Sequence, residues 1–134
     1  MKIFLSIIIL LFFTSLSILS GCKDTITVQD LDNVVIPDSS VSYSKYIQPV
    51  FSVKCAIAGC HDEYRAGDLS LLTWAEATSS TRIIFPYDPD QSVLVWTIEL
   101  RSGFPVMPPV GFPYLTPNQI EGVRTWIKEG ALNN

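Results

Sequence analysis

The sequence predicts an all-α fold: a small helical domain with long irregular loops, preceded by a signal peptide and a tether. Three observations lead there. Apolar residues recur at three- and four-residue spacing through several stretches of the C-terminal two thirds, which is the mark of helical faces. A complete helix-start signal stands near the end, in "LTPNQIEGVRTWIKEG". The stretch before it, "RSGFPVMPPVGFPY", holds four prolines and two glycines, so it is neither a helix nor a central strand and reads as an ordered loop with a task.

The N-terminus comes first in the chain and sets the compartment. Lys2 is followed by 17 residues, 3–19, that are apolar apart from small hydroxyl side chains. That length borders on a membrane span. The run ends in "LSGC", however, and the sequence turns polar at Lys23 and Asp24. A charged start, an apolar middle and a small-residue cleavage site make a secretory signal over residues 1–21. With Cys22 first after the cut, it resembles the bacterial lipoprotein signal, which implies lipidation at Cys22. Lys23 behind that cysteine resembles lipoproteins sorted to the outer membrane. Cleavage would leave 113 of the 134 residues and, with Lys2 gone, shift the formal charge from −4 to −5. One domain is expected at that length. An acidic domain lacks the electrostatic footprint of a nucleic-acid binder, and that class is set aside. Beyond the inner membrane the surroundings are oxidising, where a pair of thiols does not ordinarily stay free.

Residues 22–42 have no helical period and few aromatics, and are expected to form a lipidated tether, with a short strand at "NVVI" as its one candidate element. The folded domain is expected over residues 43–134. Tyr43, Tyr46, Ile47, Val50, Phe51 and Cys55 share one helical face, with Pro49 either starting the helix or kinking it. "LSLLTWAEATS" is a second, short helix candidate. A third begins at Asp88 or Asp90, with Pro89 beside the cap and Val93, Leu94, Trp96 and Ile98 behind it. In the last helix Thr116 is the N-cap, Pro117 the first residue, and Gln119 closes a capping box. Ile120, Val123, Trp126 and Ile127 form its stripe, and Gly130 ends it.

The chemistry concentrates in "KCAIAGCHD", residues 54–62, which holds two of the three cysteines and the only histidine. A Cys55–Cys60 disulfide suits the compartment but leaves His61 as coincidence. A structural zinc site wants four ligands, and this cluster supplies three. A cysteine nucleophile needs a base brought in by the fold, and the adjacent histidine is a poor candidate. The reading that uses all three residues is covalent haem c attachment: thioether bonds at Cys55 and Cys60, with His61 directly after the second cysteine to bind iron. The usual spacer has two residues and this one has four, residues 56–59, of which Ala56, Ala58 and Gly59 are small enough to loop out. Met107, alone among the residues after the signal, sits in the proline-rich loop. It is either a gap-filling core residue or the second axial ligand, since histidine with methionine is a known iron pair.

The stretches "YSKYIQPVFSVKCAIAGCH", "GDLSLLTW", "DPDQSVL", "MPP" and "LTPNQIEGVRTWIKEGA" together resemble the small cytochrome c domains of planctomycete type, and similar domains occur in lipoproteins of Bacteroidetes-like bacteria. The resemblance implies a cytochrome-c-like fold around one haem, with Cys55 and Cys60 as thioethers, His61 as proximal ligand, Met107 as distal ligand, and an electron-transfer role. A haem would offer an apolar face to Phe51, Leu69, Leu72, Leu94 and Trp126, and Arg65 and Arg101 are candidates to pair with its propionates. The reading is a lipid-anchored monohaem cytochrome at the cell envelope, passing single electrons between partner proteins and transforming no substrate. Its rivals are a haem-free interaction domain stapled by Cys55–Cys60, and a peroxidase-like haem protein whose distal position stays open.

Overall fold

The computed structural model describes residues 25–134. The expected signal peptide, Cys22 and Lys23 lie outside the described residues. Among the described residues the chain is helical, with no strand. It runs through α1 (Val28–Asp32), a π-helical turn (Tyr43–Ile47) leading directly into α2 (Gln48–Lys54), α3 (Trp74–Ala77), α4 (Val93–Ile98) and α5 (Pro117–Lys128). Short 3-10 turns stand at Ala66–Asp68 and Pro89–Gln91.

Local chemistry accounts for these starts. Pro49 lies in the first turn of α2, where its missing N–H costs nothing, and the turn before it is wound wider. Thr73 caps α3 by accepting from the Glu76 amide. Asp88 caps the Pro89–Gln91 turn, after which Ser92 breaks the spiral and α4 begins. Thr116 and Gln119 form the complete capping box of α5.

The core forms where the π turn and α2 meet α5. Tyr43, Phe51 and Trp126 pack as a triad, with ring centroids 5.3 Å apart for Tyr43–Trp126, 6.1 Å for Phe51–Trp126 and 6.4 Å for Tyr43–Phe51. Each such pair contributes roughly 0.5–1.5 kcal/mol beyond its buried area. The Trp126 indole N–H donates to the Leu132 carbonyl, and that of Trp74 donates to the Ala131 carbonyl, so both polar edges are satisfied.

Residues 22–42 do not behave as a tether from α1 onward. Thr27 and Asp30 cap α1 reciprocally, and Leu31, Ile36 and Val41 are buried in the core. Asn118 of α5 accepts from the Ile36 amide at 2.8 Å and donates to its carbonyl at 3.0 Å. Glu129 accepts from the amides of Ser40 and Val41 at 2.6 and 2.8 Å. No strand forms at "NVVI". The amide and carbonyl of Ile36 are instead taken by Asn118, more than eighty residues away in sequence, which no local pattern could show.

Candidate functional site

The cysteine motif begins where α2 ends. The amides of Cys55 and Ala56 both donate to the Phe51 carbonyl, at 3.0 and 2.7 Å, which tightens the helix end and turns the chain away. The four-residue spacer then forms a closed loop. Cys60 N–H donates to the Ile57 carbonyl, Gly59 turns at φ +80°, and His61 N–H returns to the Cys55 carbonyl at 3.2 Å. Asp62, nearly fully buried, clips this loop: its carboxylate accepts from the Gly59 and Tyr64 amides, each at 3.0 Å. The two extra spacer residues are thus absorbed in a hydrogen-bonded turn, and His61 is kept beside the cysteines.

His61 is oriented by a carbonyl. Its Nδ1 lies 3.3 Å from the Leu69 oxygen, and because a carbonyl can only accept, Nδ1 carries the proton. The lone pair of the neutral ring is then on Nε2, the arrangement that metal-binding histidines ordinarily show. Leu71 N–H donates to the His61 carbonyl at 2.8 Å, fixing the following chain as well.

These residues line an apolar cavity of about 450 Å³. Residues 54–71 build one part of its wall, including Cys55, Cys60, His61 and Leu69. Residues 93–112 build another, with Leu94, Thr97 and Ile98 from α4 and Met107 from the proline-rich loop. The loop is moored to α4: Met107 N–H donates to the Thr97 carbonyl at 3.2 Å, and Arg101 N–H to that of Trp96 at 2.9 Å. Both cysteines carry free thiols rather than a mutual disulfide. Burial pushes the Cys55 thiol up to about 12, opposed by the Lys54 ammonium and reinforced by Cys60, so it is a protonated thiol at neutral pH. Among the described residues no three of histidine, cysteine, aspartate and glutamate group as a metal site. Two thiols, one imidazole nitrogen and one thioether around an apolar cavity are the donors a covalent haem needs, and the residues present fit that group.

The structure draws together Cys55, Cys60, His61 and Met107, and leaves out others that the sequence suggested. Arg65 is exposed and paired with Glu76 at 3.2 Å. Arg101 lies 5.3 Å from the Trp96 ring and 3.8 Å from Glu99. Neither arginine lines the cavity. Of the expected apolar contacts, Leu69 and Leu94 line the cavity, Phe51 and Trp126 belong to the aromatic triad, and Leu72 is exposed.

One cavity residue escaped the sequence reading. Lys54 is fully buried in its side chain, and its ammonium donates to Asp32 Oδ1 at 2.7 Å, the Tyr114 carbonyl at 2.7 Å and Gln119 Oε1 at 3.0 Å. Gln119 also donates to Asp32 at 3.0 Å. The hydrogen bond from Lys54 holds the Asp32 carboxyl below its ordinary range, against a smaller opposing effect of burial. The sequence did carry a signal, since Ile47, Val50, Phe51 and Lys54 fall at helical spacing on one face. A lysine on an apolar stripe is the exception worth following.

Residues 58–111 match the protein-family model described as Planctomycete cytochrome C. The match takes in Cys60, His61 and Met107 and starts just after Cys55. No curated protein and no solved structure matches the chain.

Proposed function

We propose that this chain is a lipid-anchored monohaem cytochrome of planctomycete type, an electron carrier rather than a catalyst, passing single electrons at the cell envelope, and the family match over residues 58–111 supports that reading. The observation that carries this reading is the convergence of both motif cysteines, the only histidine and Met107 on one apolar cavity.

Bound haem c would supply a one-electron iron couple whose potential is raised by histidine–methionine ligation. The chain's own residues do the rest. Cys55 and Cys60 would hold the group covalently, one thioether each. The Leu69 carbonyl keeps Nε2 of His61 free as an electron-pair donor. The Thr97 carbonyl holds the backbone of Met107, so the thioether is offered from a fixed loop. Leu69, Leu71, Leu94 and Ile98 exclude water from the cavity. With His61 and Met107 both available to hold the iron, the domain would exchange single electrons and would make or break no substrate bond.

The lipid anchor rests on the "LSGC" signal at Cys22. Thr27 already caps α1, so only five peptide steps separate it from Cys22. Five residues span at most roughly 18 Å, which would hold the domain close to the lipid surface and favour partners at the same membrane. A redox partner would dock at the Met107 loop, where Phe104, Val106, Val110 and Phe112 are exposed.

The test is an absorption spectrum of protein purified from its native host, oxidised and reduced, with denaturing mass spectrometry on the same sample. Retention of one haem mass, a c-type reduced spectrum, and a methionine-to-iron band lost in Met107→Ala are expected. A colourless chain two hydrogens light would refute the proposal. A retained haem without the methionine band would replace the electron carrier by a haem protein with an open distal site.

A further inference from the structure

Lys54 is the most unusual residue of the cavity wall. Its side chain has no solvent exposure, whereas that of its partner Asp32 is 31% exposed. Taking an ammonium out of water costs several kcal/mol, and a buried ion pair is often replaceable by apolar side chains at no loss of stability. Stability alone is therefore a weak reason for this lysine. It stands one residue before Cys55, and its three donors are all engaged, by Asp32 at the end of α1, Gln119 of α5 and the carbonyl of Tyr114, so the charge cannot swing out to solvent.

We propose that Lys54 sets the reduction potential of the domain, its ammonium, enclosed behind the cavity wall, raising the potential and the half-exposed Asp32 moderating the rise. The inference rests on the haem c reading above. Oxidation adds one positive charge within the cavity, and a fixed cation nearby disfavours that state. The Asp32 carboxylate opposes this effect, but it borders on water, which weakens its field in the cavity more than that of the enclosed ammonium. One electron is exchanged and no proton is needed.

The experiment measures the midpoint potential of the haem-bearing, full-length protein at fixed pH and ionic strength, for wild type, Lys54→Met and Asp32→Asn. Lys54→Met is expected to shift the redox equilibrium at least tenfold toward the oxidised form, about 59 mV downward for one electron. Asp32→Asn, which keeps an acceptor for the ammonium and removes the anion, is expected to shift it upward. Opposite signs mark the electrostatic effect. A merely structural role would loosen the wall in both variants, admit water to the cavity, and move both potentials downward. Shifts of the same sign, or an unchanged potential in Lys54→Met, overturn the inference. If Lys54→Met does not accumulate, Asp32→Asn decides alone: an upward shift supports the inference, and an unchanged or lower potential overturns it. A wild-type chain without haem overturns the functional reading, and this one with it, before any variant is made.

Discussion

Replacing Ile36 by alanine probes the part of the fold that composition misrepresents. Ile36 is 3% exposed, and both its backbone groups are held by Asn118. Its side chain rests on Gly122 of α5 so closely that a Cβ at Gly122 would lie 2.7 Å from Ile36 Cγ2. Truncation to alanine removes three carbons at ~0.8 kcal/mol each, or about 2.4 kcal/mol of transfer free energy. The cavity left behind adds to this, within the ~2–5 kcal/mol usual for such changes. A domain of this size has only about 5–15 kcal/mol in all. At roughly 4–8 °C per kcal/mol, the melting temperature should fall by about 10 °C or more. The assay is thermal melting of the purified protein followed by far-ultraviolet circular dichroism. Val35→Ala is the control: its neighbouring side chain is 79% exposed, and its change should stay within about 0.5 kcal/mol. If the two variants melt within about 2 °C of each other, residues 33–42 are the free tether that their composition suggests, and the packing argument fails.

Three further outcomes follow from the same geometry. Gly122→Ala should destabilise by about 1 kcal/mol, because overpacking of ~1–3 kcal/mol against Ile36 exceeds the ~1 kcal/mol that alanine gains in a helix. The double variant with Ile36→Ala should be less destabilised than the sum, and strict additivity in a denaturant cycle would contradict the contact. Asp62→Ala strips the carboxylate from the amides of Gly59 in the cysteine loop and Tyr64 beyond it, and should cost roughly 3 kcal/mol; melting curves read the loss, and the haem-to-protein ratio of purified material should fall with it. Acid stability should depend on Asp32. Its folded carboxyl titrates below its ordinary 3.8, so its contribution is present above that value and lost as the pH falls through the folded one. Melting temperatures taken downward from pH ~5 should therefore fall more steeply for wild type than for Asp32→Asn, and parallel curves would contradict the pairing.

How much was legible in the sequence depends on where each determinant lies. Helix α5 was readable residue by residue, because Thr116, Pro117, Gln119 and the apolar stripe act within one local segment. The order of cysteines, histidine and methionine was equally readable, as was the cap at Asp88. Residues 28–41 were misread because their stabilising partners, Asn118 and Glu129, belong to the other end of the chain. The partners of Arg65 and Arg101 were not legible, because a guanidinium's partner is chosen by which segment lies beside it, and here Glu76 and Glu99 do.

The sequence by itself determined the helical class, since apolar period and helix caps act within one segment, and it carried the family resemblance that implies Cys55, Cys60, His61 and Met107 as the haem site. Only the tertiary structure decided that the N-terminal segment is part of the domain, that His61 is turned by the Leu69 carbonyl, and that Lys54 is enclosed beside the cavity with Asp32, Tyr114 and Gln119 around it. The reason is physical. A spacing constrains what neighbouring side chains can do together. The environment of a buried charge or a ring nitrogen is set by whichever distant segments the fold brings against it.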